Sequence, residues 1–217
     1  MREFRPRTNG VSSCFGVCTK IVKHSKLLHY IIFHKPYGVV PQFSKEGGHK
    51  TLRDFGPFPK DVYAAGRLDA DSEGLLFLTN DAGLNHRLTD PRFGHPRTYL
   101  VQVEGLPTER SLDELRKGVA VQGKKTRPAE VRLLEQEPSV SARPVPIRFR
   151  KTVPTCWLEI TLREGQNRQV RRMTAAAGFP TLRLVRIRIG LLELGLLEPG
   201  EHRHLTGQEV RKLKAAL

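Results

Sequence analysis

GRLDADSEGLLFLTND, residues 66–81, is the stretch from which most of the fold can be worked out. Gly66 marks a turn, and three acidic side chains then follow at alternate positions: Asp69, Asp71 and Glu73. The apolar run Leu75–Leu78 predicts a short buried strand. Asn80 or Asp81 can cap a helix that follows this strand. The stretch therefore predicts an acidic turn, a buried strand and a helix, in that order.

Strands and helices on either side of this stretch are interspersed without a regular strand–helix–strand repeat. Apolar or alternating runs predict strands at 30–33, 99–103, 131–134, 157–162 and 182–189. Helix signals are a Thr108 cap with an end at Gly118, a helical pattern over 167–177, and a capping box at 206–209. Residues 136–154 form a long connection rich in proline. We expect an α+β fold with a mixed, largely antiparallel sheet and flanking helices.

The net charge of +15 is concentrated in two segments of the chain. Residues 1–35 contain seven basic side chains and one acidic side chain, and residues 143–188 contain eleven and two. Residues 36–142 are balanced. Because ten of the eleven late basic residues are arginines, they suit bidentate contacts with phosphate. The pattern indicates a polyanionic partner, most often a nucleic acid.

Several protein classes and one metal site are disfavoured by the sequence. No apolar run approaches the roughly 18 residues of a membrane-spanning helix, and the basic N-terminus has no secretory signal pattern. An organelle transit peptide stays open as an alternative, although Glu3 argues against it. Three cysteines indicate free thiols in a reducing compartment, so we expect a cytoplasmic protein. The spacing of Cys14, Cys18, His24 and His29 fits no common zinc finger, so no metal site is expected.

The acidic turn by itself admits several interpretations. It does not fit a calcium-binding loop, because the twelfth position counted from Asp69 is Asn80 and not glutamate. A glycosidase would need a second essential acid, and no comparable motif elsewhere in the sequence supplies an acidic partner for Asp69. From the residues alone, an acidic turn with solvated side chains is the commoner structure, and catalysis is the sharper alternative.

Four stretches in this order resemble the motifs of the RsuA-type pseudouridine synthases. They are HKPYG (34–38), GRLDADSEGLLFLTND (66–81), RTYLVQVEG (97–105), and EGQNRQVRRM (164–173) followed by GFPTLRLVRIRIG (178–190). PQF at 41–43 and VPTCW at 153–157 are similar to a subgroup of that family that acts on 23S ribosomal RNA. The resemblance covers roughly residues 28–207, and its motifs are specific in both spacing and order.

The resemblance implies a fold with a central RNA-binding cleft and a reaction that needs no cofactor or metal. It also implies that the uridine flips out of the RNA, that its N1–C1′ bond breaks and that the base rejoins through C5. Asp69 matches the essential carboxylate and Arg171 its arginine partner, while Tyr99 matches the tyrosine that stacks on the base and acts near C5. Arg67 matches the arginine that fills the space left by the flipped nucleotide, and Leu184 is expected in the pocket wall.

The expected RNA contacts lie in two further places. Arg168 and Arg172 are assigned to phosphates, as are Arg148, Arg150 and Lys151 of the long connection. Arg168 stands where the family often has histidine. We expect a flexible basic arm at 1–27 and a catalytic domain at 28–217, without the N-terminal S4-like RNA-binding domain common in the family.

The expected partner is 23S rRNA or a large-subunit assembly intermediate, and the expected protein is monomeric and does not bind membranes. The alternative is a catalytically inactive RNA-binding ribosome-assembly factor of the same fold.

Overall fold

The computed structural model describes residues 27–45, 47–147, 150 and 152–217. Almost all of the expected basic arm, together with Arg148 and Lys151 of the long connection, lies outside the described residues. None of the helices in the described part of the chain is long and apolar enough to cross a membrane.

Helices and strands alternate irregularly along the described residues, as the sequence predicts. In chain order they are β1 (Tyr30–Lys35), β2 (Val39–Val40), β3 (Lys50–Thr51), β4 (Tyr63–Ala64), β5 (Glu73–Thr79), α1 (Ala82–Thr89), β6 (Arg97–Glu104), α2 (Glu109–Lys117), β7 (Ala120–Val121), β8 (Lys124–Lys125), β9 (Glu130–Leu133), β10 (Thr155–Leu162), α3 (Gln169–Ala176), β11 (Thr181–Ile189), β12 (Leu192–Glu193), β13 (His202–His204) and α4 (Gly207–Ala215).

One large sheet organises the molecule, with strand order β13-β1-β5-β11-β6-β10-β9. Neighbouring strands along this path are antiparallel except for β5 and β11, which are parallel. The predicted α+β fold with a mixed, largely antiparallel sheet is therefore confirmed. The parallel pair joins two antiparallel halves, one of which comes from the first 80 residues of the chain together with β13.

The seam between β5 and β11 depends on Gly74. Its φ of +100° lies in a region that side chains other than glycine rarely adopt. A Cβ atom at this position would lie 2.3 Å from the carbonyl oxygen of Arg186 on β11. The glycine of the GLL motif thus lets the two halves of the sheet meet directly behind the acidic turn.

The helices begin where the sequence predicts a cap. The Asp81 side chain accepts a hydrogen bond from the Leu84 amide at the start of α1, and Thr108 accepts one from the Ser111 amide in α2. The capping box at the start of α4 is also present. Each of these caps satisfies amide groups that a helix leaves unpaired, so the signal is local and can be read from sequence.

The two faces of the sheet are covered differently, and the difference positions the site. Alternate residues of a strand point to opposite faces. On one face a single core contains Ile32, Phe77, Leu100 and Val185 and packs against α1 and α4. On the other face, one core packs against α2 and α3, and a second lies under the connection between β3 and β5. The acidic turn directly follows Leu68, which belongs to the core under the β3–β5 connection. The turn therefore lies beside the gap between the two cores of this face.

Candidate active site

A cleft of about 440 Å³ lies against the central strands of the sheet. Its walls come from the acidic turn, the start of β6, the segment at 164–170 and β11. Five of the residues that the sequence assigns to the site line this cleft: Arg67, Asp69, Tyr99, Arg168 and Leu184. Residues separated by more than 110 positions in the chain are thus brought together in one concave surface.

The turn that bears Asp69 is held by main-chain contacts. The Ser72 amide donates to the Asp69 carbonyl over 3.0 Å, and the Gly38 amide donates to the Ala70 carbonyl over 2.7 Å. Leu68, just before Asp69, is buried in the adjacent core. The Asp69 side chain itself remains about one-third exposed, at 34%. The main chain is therefore anchored while the carboxylate faces the cleft.

Lys35 supports the same turn from inside the protein. Its side chain is fully buried, and Nζ donates to the carbonyl oxygens of Pro36, Val39 and Ala70 over 3.0, 2.7 and 3.4 Å. Burial lowers the pKa of Lys35 to about 7, although the nearby carboxylates oppose this shift. The motifs in the sequence assign no role to Lys35. The signal available was a lysine closing an apolar strand directly before a proline.

Two arginines from the last motif contact the acidic turn. Arg168 makes a bidentate contact with Asp71, at 3.0 Å for Nη1–Oδ1 and 2.7 Å for Nη2–Oδ2. Its Nη1 also lies 3.5 Å from Oδ2 of Asp69. Arg171 donates from Nη2 to the main-chain carbonyl of Asp71 over 2.6 Å, and its Nε lies 3.4 Å from Asp71 Oδ2. Burial opposes ionisation of Asp71, but the two guanidinium groups outweigh it and lower the pKa of Asp71.

The expected pairing of Arg171 with Asp69 is therefore wrong in this structure. The ion pair to Asp69 comes from Arg168, which the sequence pattern assigns to phosphate. Arg171 instead fixes the main chain two residues beyond Asp69 and also reaches the Thr181 carbonyl over 3.4 Å. Burial lowers the pKa of Arg171, and Asp71 opposes that shift.

Arg168, and not Arg171, pairs with Asp69 because of the position at which α3 begins. A helical pattern over 167–177 would place Arg168 on the helix surface one turn from Arg172. In the structure α3 begins at Gln169, and Arg168 caps it in the left-handed region, with φ +52° and ψ +33°. This backbone conformation, which is uncommon outside glycine, takes Arg168 off the helix and towards the acidic turn.

Glu73 binds a third arginine in the interior. Arg183 of β11 donates to Glu73 over 2.9 and 2.8 Å, and the side chains are only 8% and 2% exposed. Arg183 also donates to the Ser141 carbonyl of the long connection over 2.8 Å. Asp71 and Glu73 therefore both have arginine side chains as their main partners.

Tyr99 and Leu184 form part of the opposite wall. Tyr99 lies on β6 between Ile160 of β10 and Arg186 of β11, and it packs partly buried against the core that contains Leu184. Leu184 is 6% exposed. Arg67 is exposed at the cleft, and its main-chain carbonyl accepts a hydrogen bond from Arg186. Tyr99, Leu184 and Arg67 thus all line the cleft that contains Asp69.

Arg150 and Arg172, the other described arginines of the predicted RNA-binding set, lie outside the cleft lining. Arg172 is tied to Gln122 and Asn167 over 2.6 and 2.9 Å. Arg150 is exposed, and its Nε lies 3.6 Å from Glu104 at the end of β6. Since Glu104 is five residues from Tyr99, roughly 17 Å of strand separates them. Arg150 therefore lies well away from Tyr99.

Only two acidic residues line the cleft within the described chain, Asp69 and Glu164. The Glu164 carboxylate accepts hydrogen bonds from the Arg127 amide and from the Gln169 side chain. It is thus engaged in holding the segment at 164–170, and the second free acid that a glycosidase would need is not found among the described cleft residues. The described residues also contain no group of three or more His, Cys, Asp or Glu side chains placed to bind a metal ion.

Comparison with known proteins identifies the family of this chain. Residues 29–176 match the family model described as RNA pseudouridylate synthase. The chain belongs to the RNA pseudouridylate synthase family. Members of this family isomerise uridine to pseudouridine in RNA, and this pseudouridylate synthase is an isomerase of that kind.

The relatives of this pseudouridylate synthase extend over most of its length. A ribosomal large subunit pseudouridine synthase E from Xanthomonas axonopodis pv. citri (strain 306) is 57% identical over 78% of this chain and 90% of its own. A ribosomal large subunit pseudouridine synthase B from Bacillus subtilis (strain 168) is 35% identical over 86% and 71%. A crystal structure of a pseudouridylate synthase superimposes with a TM-score of 0.71 at 31% identity, covering 86% of this chain and 74% of that one.

Proposed function

We propose that this pseudouridylate synthase isomerises one uridine of 23S rRNA, with Asp69 as the essential carboxylate. The observation that supports the assignment is the placement of Asp69 in a cleft opposite Tyr99, beside the ion pairs of Arg168. The choice of 23S rRNA is supported by the 57% identity to a relative named a ribosomal large subunit pseudouridine synthase E. That is also the subgroup that PQF and VPTCW indicate.

The chemistry needs only what the cleft supplies. The N1–C1′ bond breaks, the base turns, and a C5–C1′ bond forms; the C5 proton is lost and N1 gains one, so the product is an isomer. Asp69 attacks either C1′ of the ribose or C6 of the base, and both routes require an ionised carboxylate. Arg168 places a positive charge 3.5 Å from that carboxylate. Tyr99 stacks on the base and assists proton transfer at C5.

Charge and shape fit a flipped nucleotide. The cleft volume of about 440 Å³ lies within the ordinary range of small-ligand pockets, roughly 300–1,000 Å³. The exposed Arg67 at the cleft fills the space that the nucleotide leaves in the RNA. Leu184 closes one wall of the pocket. Arg150, Arg172 and the basic residues outside the described part of the chain contact phosphates, and Arg171 holds the turn that presents Asp69.

The wider assignment follows the same reasoning. The substrate is 23S rRNA, free or within an assembling large subunit, and the enzyme is cytoplasmic and monomeric. Residues 28–217 form the catalytic domain, and the basic arm before them adds to the grip on RNA. An inactive RNA-binding factor would have no need to keep Asp69, Tyr99 and Arg171 in one site.

Replacing Asp69 with Asn tests the central claim. We expect Asp69→Asn to abolish isomerisation while RNA affinity stays within a few-fold, because the substitution removes a charge and preserves shape. Unmodified 23S rRNA is incubated with each protein, and new pseudouridines are mapped by carbodiimide-block primer extension.

Asp113→Asn is the matched control, because Asp113 is a half-exposed acid on α2 paired with Arg116. It should be fully active. Full activity of Asp69→Asn would refute the assignment of the carboxylate. If the unaltered enzyme formed no pseudouridine in 23S rRNA, the proposed substrate would be wrong.

A further inference from the structure

Arg186 is a buried arginine at the meeting point of the two halves of the sheet. Its side chain is 3% exposed, and it lines the same cleft as Asp69 and Tyr99. On β11 it pairs with Gly74 of β5 on one side and with Tyr99 of β6 on the other. The residue therefore adjoins both the strand that follows the acidic turn and the strand that bears the tyrosine.

Two of its three guanidinium nitrogens bind main-chain carbonyl oxygens. Nε donates to Leu75 over 2.8 Å, and Nη1 donates to Arg67 over 3.3 Å. Leu75 lies within β5, and Arg67 is two residues before Asp69. Arg186 thus holds the main chain on both sides of the acidic turn to the body of the sheet.

The third nitrogen, Nη2, is buried and makes no hydrogen bond of good geometry among the described residues. Buried donors in proteins are nearly always paired, and leaving one unpaired costs about 1–3 kcal/mol or more when it is charged. Neither of the two carbonyls that Arg186 binds carries a charge. Arg183, three residues earlier on the same strand, has the carboxylate of Glu73 as its partner. Unlike Arg183, Arg186 has no carboxylate partner in the described part of the chain, and its Nη2 group remains available as a donor beside the cleft.

Tyr99 is the candidate acceptor for that donor. Directly opposed residues of an antiparallel pair project to the same face, with Cβ atoms about 4.5–5.5 Å apart. Arg186 and Tyr99 are such a pair. Burial lowers the pKa of Arg186, and the interactions that most oppose this shift are with Tyr99, a side-chain hydrogen bond among them.

We propose that Arg186 is a positioning residue for the isomerisation: it holds the turn that bears Asp69, and its Nη2 donates a hydrogen bond to the Tyr99 hydroxyl when the target base enters. The inference rests on the proposed function. In this proposal a single guanidinium group sets the distance between the Asp69 carboxylate and the Tyr99 phenol, the two groups that act on the base. Lysine cannot reproduce this arrangement, because three contacts in different directions require the planar fork of arginine.

Single-turnover rates and RNA affinities of Arg186→Gln, Tyr99→Phe and the double variant provide the test. We expect Arg186→Gln to lower the rate about 100-fold while the Kd for unmodified 23S rRNA stays within about twofold. The double variant should be no more than about twofold slower than Tyr99→Phe, because both changes remove the same contact.

Two arginines of β11 give matched controls. Arg188→Gln alters an exposed ion pair with Glu193 and should leave the rate unchanged. Arg183→Gln removes a buried arginine with no contact to Tyr99, so its effect should multiply with that of Tyr99→Phe. Arg186→Lys keeps the charge and serves if Arg186→Gln does not fold; it should reduce the rate about tenfold and show the same lack of additivity with Tyr99→Phe.

Multiplication of the Arg186 and Tyr99 effects would overturn the proposal and leave Arg186 with a structural role. A loss confined to RNA affinity would overturn it as well. Failure of the proposed function is distinguishable from both outcomes, because it would appear as inactivity of the unaltered enzyme on 23S rRNA or as full activity of Asp69→Asn.

Discussion

Asp71 and Glu73 lie two residues apart in one motif, and each is paired with arginine from the last motif, but their surroundings differ. The Glu73 side chain is 2% exposed, and its Arg183 partner is buried with it. The Asp71 side chain is 35% exposed, and its partner Arg168 is 41% exposed. Both pairs are bidentate. The same chemical pair thus occurs once in the interior and once at the rim of the cleft.

The difference in burial indicates a difference in purpose. An ion pair in the interior is costly to break, because removal of one partner leaves an unpaired charge away from water. An exposed pair contributes little to stability, and water can replace either partner. We infer that the Glu73 pair holds the strands in register, whereas the Asp71 pair can rearrange when RNA enters and Arg168 is already within 3.5 Å of Asp69.

The largest effect is expected for Glu73→Gln. The change leaves the Arg183 guanidinium buried without a carboxylate, and we expect the free energy of unfolding to fall by about 3–5 kcal/mol. Chemical denaturation followed by circular dichroism measures this loss. Glu193→Gln, which alters the exposed pair with Arg188, is the control and should cost less than about 1 kcal/mol. Equal losses for the two variants would show that burial does not separate these pairs.

A smaller and different effect is expected for Asp71→Asn. The unfolding free energy near pH 7 should change by less than about 1 kcal/mol, while the single-turnover rate should fall by about tenfold because Arg168 and Arg171 lose the carboxylate that orients them. Since the pKa of Asp71 is lowered in the folded protein, its stabilising contribution is present above the ordinary value of 3.8 and is lost as pH falls through the lowered pKa. A large loss of stability with an unchanged rate would reverse the assignment.

The smallest effect on the chemical step is expected for the long connection. We expect simultaneous Arg148→Gln, Arg150→Gln and Lys151→Gln substitutions to weaken binding to 23S rRNA and to make its dependence on salt less steep, by up to about one unit of slope for each phosphate that is no longer neutralised. The rate at saturating RNA should not change. A triple change of Arg110, Arg211 and Lys212 to Gln, on α2 and α4, removes the same charge elsewhere. Identical salt slopes for both triple variants would show that the connection does not bind phosphate.

The parts of the fold that were predictable from sequence depend on neighbouring residues. The caps at Asp81, Thr108 and Thr206 and the buried strand at 75–78 were all identified, because a cap or an alternation is complete within a few positions. The parallel pairing of β5 with β11 was not identified. It joins residues more than 100 positions apart, and its requirement for Gly74 is visible only once the strands are adjacent.

The sequence predicted which residues form the site better than it predicted which of them contact one another. Motif resemblance selected Asp69, Tyr99, Leu184 and Arg67, which the structure places around one cleft. It could not decide which arginine faces Asp69, because that choice depends on the left-handed backbone of Arg168. Lys35 and Arg186 were not identified as parts of the site, because a charged residue within a strand shows its partners only in three dimensions.

The placement of β11 beside β5 has a consequence for biosynthesis. Every arginine that contacts the acidic turn or its flanking strand from the far side, Arg168, Arg171, Arg183 and Arg186, is translated about 100 residues after Asp69. A nascent chain that has emerged only to α2 therefore exposes Asp69, Asp71 and Glu73 without these partners. Long-range pairing of this kind slows folding. We therefore expect the acidic turn to gain these contacts only after the last motif has left the ribosome.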